Sequence, residues 1–172
     1  MNNYIRTTRE CRMDQIHPSL SQAIQEYLKT HPVGYVDEGT LLCCETTSTK
    51  REHGELVAFL ASFLEGNPDT TIHLAILLTE EWLIWAHSGD HSGTTVTGAK
   101  LKVIKVKAFA AKRTNAMELD ISGFVNDSKE YVRGNLQLGP ELAAQKFCEE
   151  VVQAVLKVSP PQKSKFPKWM GG

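Results

Sequence analysis

The spacing of apolar residues along this chain changes period several times, and each change marks an element. From Pro18 the spacing is helical: Leu20, Ile24, Tyr27 and Leu28 share one face, proline suits a first turn, and His31-Pro32 stops the run. Turn residues around Gly34 and from Asp37 to Gly39 lead into an expected strand, Leu41 to Lys50, rich in Thr and Cys. A short second helix is expected at Glu55 to Glu65. There Leu56, Phe59, Leu60, Phe63 and Leu64 recur at three- and four-residue steps before Gly66-Asn67-Pro68. The period then becomes two. Ile72, Leu74, Ile76 and Leu78 form one face of a strand Thr71 to Thr79, a polar corner follows at Thr79-Glu80-Glu81, and Trp82-Leu83-Ile84-Trp85-Ala86 runs back as its hairpin partner.

A tip at His87 to Gly93 precedes Thr94-Thr95-Val96-Thr97 and a basic, strand-like stretch. Its alternation changes phase between Val103 and Ile104, as at a bulge or a bend between two strands. Two more strands read out as Glu118 to Phe124 and Tyr131 to Leu138. Gly139-Pro140-Glu141 then opens a final helix whose apolar stripe is Ala144, Phe147, Val151, Val155 and Val158. Beyond it, Ser159 to Gly172 has adjacent prolines, three lysines, no acid and no period, which reads as a flexible basic tail. The expected architecture is α+β: an antiparallel barrel or sandwich capped by a C-terminal helix, with an N-terminal helix and a short inserted helix. The expected organisation is a helical extension at 1–39 packed on the domain, a β domain with its closing helix at 40–158, and the tail at 159–172.

Composition narrows the class. A chain of 172 residues and 19.1 kDa buries roughly 70% of its unfolded surface, enough for one ordinary core. With 41% hydrophobic and 23% charged residues it is neither disordered nor collagenous. No apolar run approaches the roughly 18 residues of a membrane-spanning helix, and the opening Met1-Asn2-Asn3-Tyr4-Ile5-Arg6 has no apolar core of a signal peptide, so a cytoplasmic location is expected. Four cysteines, two of them the adjacent Cys43-Cys44 that point to opposite faces of a strand, fit reduced thiols in a core better than a disulfide framework.

The segment Ile76-Leu77-Leu78-Thr79-Glu80-Glu81-Trp82-Leu83-Ile84-Trp85 resembles the hairpin of pleckstrin-homology-like domains, particularly bacterial ones, in which an apolar strand ends in Leu-Thr-Asp and restarts with Arg-Leu-Ile. Here Glu80 replaces the Asp and Trp82 the Arg. The resemblance covers about Thr40 to Ser159 and includes the helix after Gly139-Pro140. The helix at Glu55 to Glu65 and the leading helix lie outside the family pattern. The resemblance implies a scaffold whose members bind phosphoinositide headgroups, peptides or other proteins. The family's basic lipid motif would fall after the first strand, where this chain has only Lys50-Arg51 followed by Glu52 and Glu55.

Charge changes the picture most. The formal net charge is −1, yet Thr94 to Arg113 holds six basic residues and no acid, and Val151 to Gly172 holds four and none. Lys100 and Lys102 would share a face of an extended strand, as would Lys105 and Lys107 after the phase change. Such a ridge could meet an anionic partner, or it could guard an edge strand against edge-to-edge pairing. In the tail, Lys163, Lys165, Phe166, Lys168 and Trp169 form a candidate linear ligand for an acidic surface or membrane interface. The candidate anion- or partner-binding residues are therefore Lys100, Lys102, Lys105, Lys107, Lys165, Lys168 and Trp169. An isoelectric point near 6.6, with Phe109 the single aromatic in the basic stretch, argues against nucleic acid.

Catalytic signals are sparse. His87-Ser88-Gly89-Asp90-His91 is the one cluster with ligand-like spacing, but it brings no HExxH or CxxC pattern and reads better as a solvated hairpin tip. No GxSxG, P-loop or GxGxxG run is present to order a Cys with His53, His73 or His91. The terminal Gly171-Gly172 is reminiscent of ubiquitin-like carriers, whose order of elements differs from this one. The expectation is a non-enzymatic cytosolic binding module for a protein or peptide, without catalytic residues, metal or cofactor. The alternative is an anionic-lipid sensor using the lysine-rich strand and the tail.

Overall fold

The computed structural model describes residues 4–31, 33, 42–51, 69–112, 114–124 and 131–159. Eight strands follow in chain order: β1 (Tyr4–Glu10), β2 (Leu42–Lys50), β3 (Thr71–Leu78), β4 (Trp82–Gly89), β5 (Gly93–Lys100), β6 (Ile104–Ala110), β7 (Met117–Phe124) and β8 (Tyr131–Gln137). They build two antiparallel sheets, one ordered β1-β2-β3-β4-β5 and the other β6-β7-β8. Helix α1 (Pro18–Thr30) lies between β1 and β2, and α2 (Leu142–Val158) closes the described chain. The fold is α+β. Of the barrel and the sandwich that the alternation permitted, the closed barrel does not form among the described residues.

Closure fails at two corners for physical reasons. Between β5 and β6 a 3-10 turn, Leu101–Val103, interrupts the ladder at the position of the phase change, and the chain passes from one sheet to the other. At the opposite corner β1 meets the end of β8 through side chains: Arg6 bonds Gln137, and the Thr8 hydroxyl accepts the Gly139 N–H at 2.7 Å. Glu141, at the N-cap of α2, accepts the Thr8 N–H at 2.9 Å and ties the helix to β1.

The five-stranded sheet is covered on both faces. Its inner face, with Cys44, Leu74, Ile76, Leu78, Leu83 and Trp85, packs against Leu119, Ile121 and Leu136 of the second sheet and against Ala144, Phe147, Val151 and Val155 of α2. Its outer face, with Cys43, Ala75, Leu77, Trp82, Ile84 and Ala86, is covered by α1 through Leu20 and Ile24. Full burial of a Leu or Ile side chain contributes about 1.5–3 kcal/mol, so these two residues anchor the helix. The facing pair Ala75 and Ala86 and the buried Gly98, whose added Cβ would meet the Tyr27 ring, let it approach closely. Double coverage explains why β3 and β4 carry near-continuous apolar runs rather than strict alternation. Cys43 and Cys44 do face opposite layers, and all four cysteines are free and buried.

Several expectations land closely. The β3–β4 corner is shut by the Thr79 hydroxyl, which accepts the N–H groups of Trp82 at 2.9 Å and Glu81 at 3.3 Å. Helix α2 buries the expected stripe except Val158, which is 42% exposed, and Cys148 joins it. A strand the periodicity did not reveal, β1, pairs with β2 from Tyr4↔Lys50 to Glu10↔Cys44, so the expected helical extension supplies a sheet strand ahead of its helix. Strand β4 extends through His87 and Ser88, which shortens the expected tip to Asp90-His91-Ser92. The helix expected at Glu55 to Glu65 and the tail from residue 160 lie outside the described residues. No helix among the described residues is long and apolar enough to cross a membrane.

Candidate binding face

The four lysines of the basic stretch do not form one ridge. Lys100 ends β5 with its ammonium 5.5 Å from the centre of the Trp82 ring, whereas Lys102 belongs to the 3-10 turn, so the two do not share a strand face. Both line a cleft of about 400 Å³ with Glu80, Glu81, Leu101 and Val158, where lysine and glutamate charges offset each other. Lys105 and Lys107 stand exposed on β6, an edge strand of the three-stranded sheet. Lys165, Lys168 and Trp169 lie outside the described residues.

Strand register brings a different set together. On the solvent side of the three-stranded sheet, Lys105 faces Ser122, which faces Arg133; Lys107 faces Asp120, which faces Asn135; and Phe109 faces Glu118, which faces Gln137. Neighbouring strands lie about 4.8 Å apart, so the Lys105 and Arg133 backbones are about 10 Å apart across one row. Tyr131 and Phe109, 60% and 42% exposed, stand toward opposite ends of the same face. Asn135 engages the acids by donating to Asp120 at 2.6 Å and to Glu118 at 3.3 Å. The face thus presents Lys105 and Arg133 in one row through Ser122, with Tyr131 on one side of it and, on the other, a row of Lys107, Asp120 and Asn135 before Phe109 and Glu118 at the far end. Arg133 escapes sequence reading because its nearness to Lys105 depends on a register set across three strands. The hydrophilic outward residues of β7 and β8 are the only hint.

The His87 to His91 segment, the end of β4 and its tip, is engaged in strand and turn contacts. Asp69 accepts the N–H groups of His91 at 2.6 Å and Ser92 at 3.1 Å and the Ser92 hydroxyl at 2.6 Å, which together hold its carboxyl below the usual carboxylate range. Asp90 accepts the Thr71 N–H at 2.9 Å and bonds the Thr70 hydroxyl, with the same effect on its own carboxyl. His87 bonds Thr95. Among the described residues no group of three His, Cys, Asp or Glu side chains is placed to hold a metal ion.

A second polar cluster crosses the outer face of the large sheet at the start of α1. Thr47, His73, Ser88 and Thr94 form one row across β2 to β5, and His17 stacks on His73 with ring centres 4.2 Å apart. Glu45, nearly buried, is held by Arg9 at 2.6 Å and by the His17 N–H at 2.9 Å. Burial, followed by the neighbouring His17, lowers the His73 pKa; Glu45 and Asp90 oppose the shift. Because the folded pKa lies below the unfolded value of about 6.5, the unfolded chain binds more protons, and stability rises with pH in this range. The contribution is present above about pH 6.5 and is lost as pH falls from there toward the folded pKa. Urea unfolding at neutral and mildly acidic pH is expected to show a smaller acid loss for His73→Gln than for wild type. An unchanged acid loss would contradict the assignment.

No family model matches the chain, and neither a curated protein nor a solved structure matches it. Among the described residues the fold defines a class: an α+β protein with two antiparallel sheets and two helices, one sheet covered on both sides. Its particular feature is the open, charged and aromatic face of the second sheet.

Proposed function

We propose that the protein is a non-enzymatic, cytoplasmic binding module of pleckstrin-homology-like type, and that the solvent face of its three-stranded sheet recognises an acidic segment of a protein or peptide partner. The observation that carries this reading is the row Lys105, Ser122 and Arg133 with Phe109 and Tyr131 on the same face. Tyr, Phe and Arg are the residue types enriched at the centres of protein interfaces, and cations arrayed across a sheet steer acidic partners. The strand order followed by a C-terminal helix across both sheets supports the family comparison. The engagement of Glu45, Asp69 and Asp90 in structural contacts favours binding over catalysis. Four free thiols fit a reducing compartment. A protein partner is favoured over a lipid surface because Lys100 and Lys102 share their cleft with Glu80 and Glu81 instead of adding to the charge of Lys105.

The test is photo-crosslinking in the native cell, with the reactive group at position 107 and, as control, at the exposed position 25 on α1. A recurrent protein adduct from position 107 and none from position 25 is expected. Identical patterns from both positions, or no protein adduct from 107, would overturn the assignment. Exclusive adducts with anionic lipid would replace it by the lipid reading.

A further inference from the structure

Cys11 and Cys43 face each other where β1 ends. The Cys11 N–H donates to the Cys43 carbonyl at 3.1 Å, one step beyond the last ladder pair, Glu10↔Cys44. Their sulfurs are 3.4 Å apart, in direct contact beneath the end of the β1–α1 connection. Cys44 and Cys148 lie in the other layer. Cys11 is the most exposed of the four thiols, at 7% against 1% for Cys43.

We propose that Cys11 and Cys43 form a peroxide-reactive dithiol site, in which Cys11 attacks the oxidant and Cys43 resolves the product as a disulfide. Small hydroperoxides are the matching oxidant class, since a site this closed admits little else. Either sulfur can donate in this contact; with the more exposed Cys11 as acceptor, the Cys43 S–H stabilises it as the thiolate and the Cys43 pKa is pushed up. Burial, Glu45 and Glu10 oppose the Cys11 thiolate and Arg9 supports it, the Cys43 contact outweighing the opposition. Cys44 and Cys148 are held as thiols by burial, the latter with a pKa pushed up to about 11. The thiolate is the nucleophilic form, so reactivity should begin at Cys11.

In the first step the Cys11 thiolate attacks one oxygen of hydrogen peroxide. The O–O bond breaks, Cys11 becomes a sulfenic acid, and the departing hydroxide takes a proton to leave as water. In the second, Cys43 sulfur attacks the Cys11 sulfur, the S–O bond breaks, and that hydroxide leaves as water with the Cys43 proton. Two thiols and one peroxide thus give one disulfide and two waters, with two electrons passing to the peroxide. Closing the contact to a bonding distance of about 2.05 Å asks for movement of Cys11, which lies one residue past the end of β1 and is held to Cys43 by its own N–H bond.

The test treats the folded full chain with hydrogen peroxide, alkylates the remaining thiols after denaturation, and reads intact mass and a non-reducing peptide map. Wild type is expected to lose two hydrogens and two alkylatable thiols, with the bridge joining Cys11 to Cys43. Cys44→Ala should behave the same, and Cys43→Ala should instead stop at a single oxygen on Cys11. Four thiols still alkylatable, first oxidation at Cys44 or Cys148, or over-oxidation of Cys11 without a bridge would each overturn the proposal. The wild-type map decides the matter even where a variant does not fold.

Discussion

Trp82→Ala is expected to lower unfolding stability by about 3–5 kcal/mol, the range for emptying a large aromatic site in a packed core. Trp82 is fully buried in the layer between the large sheet and α1, among Leu77, Ile84, Leu20 and Ile24. Lys100 covers its ring from the neighbouring strand, so the cavity would open at the sheet edge and under the helix at once. Among the described residues the indole Nε1–H has no acceptor. Trp82→Phe is therefore expected to cost much less than Trp82→Ala, about 1–2 kcal/mol, because it keeps an aromatic ring and removes an unpaired buried donor. Urea midpoints followed by circular dichroism, at unchanged m-value, measure both. A loss under about 1 kcal/mol for Trp82→Ala would contradict the packed outer layer.

The second large effect is at the corner between the sheets. Gly123, with φ +157°, pairs with Ile104, the first residue of β6. A Cβ there would stand 2.3 Å from the Val103 carbonyl oxygen and 2.7 Å from the Ile104 Cα, both backbone atoms that cannot step aside as a side chain can. Gly123→Ala must push β6 away from β7 just where the chain enters the second sheet, at a cost of about 3 kcal/mol. Gly134→Ala is the control in the same sheet. Its Cβ would meet only the Trp85 ring, at 3.6 Å, so a change within about 1 kcal/mol is expected. Equal losses at the two glycines would contradict the corner geometry.

Much of this fold could be read from the period of apolar residues, because elements with one buried stripe advertise it. Helix α2 and strands β3, β4, β7 and β8 lie where the spacing puts them. The phase change at Val103 and Ile104 marked the passage between sheets, although its form is a 3-10 turn. Strand β1 was invisible for a local reason. Its inward residues Arg6 and Thr8 are polar and pair with polar partners, the Thr8 and Thr46 hydroxyls lying 2.8 Å apart, so no apolar alternation marks them. The candidate site was half legible. Lys105 and Lys107 show in the composition of the stretch, but their separation from Lys100 and Lys102, and the arrival of Arg133 beside them, follow from chain path and register.

The proposed recognition through the outer face of β6, β7 and β8 is measured by the affinity of the crosslinked partner for the charge-reversed pair Lys105→Glu/Arg133→Glu. Calorimetry is expected to show a Kd raised at least about tenfold, equivalent to about 1.4 kcal/mol, with the unfolding midpoint unchanged. An unaltered Kd in a folded variant would place recognition elsewhere on the molecule.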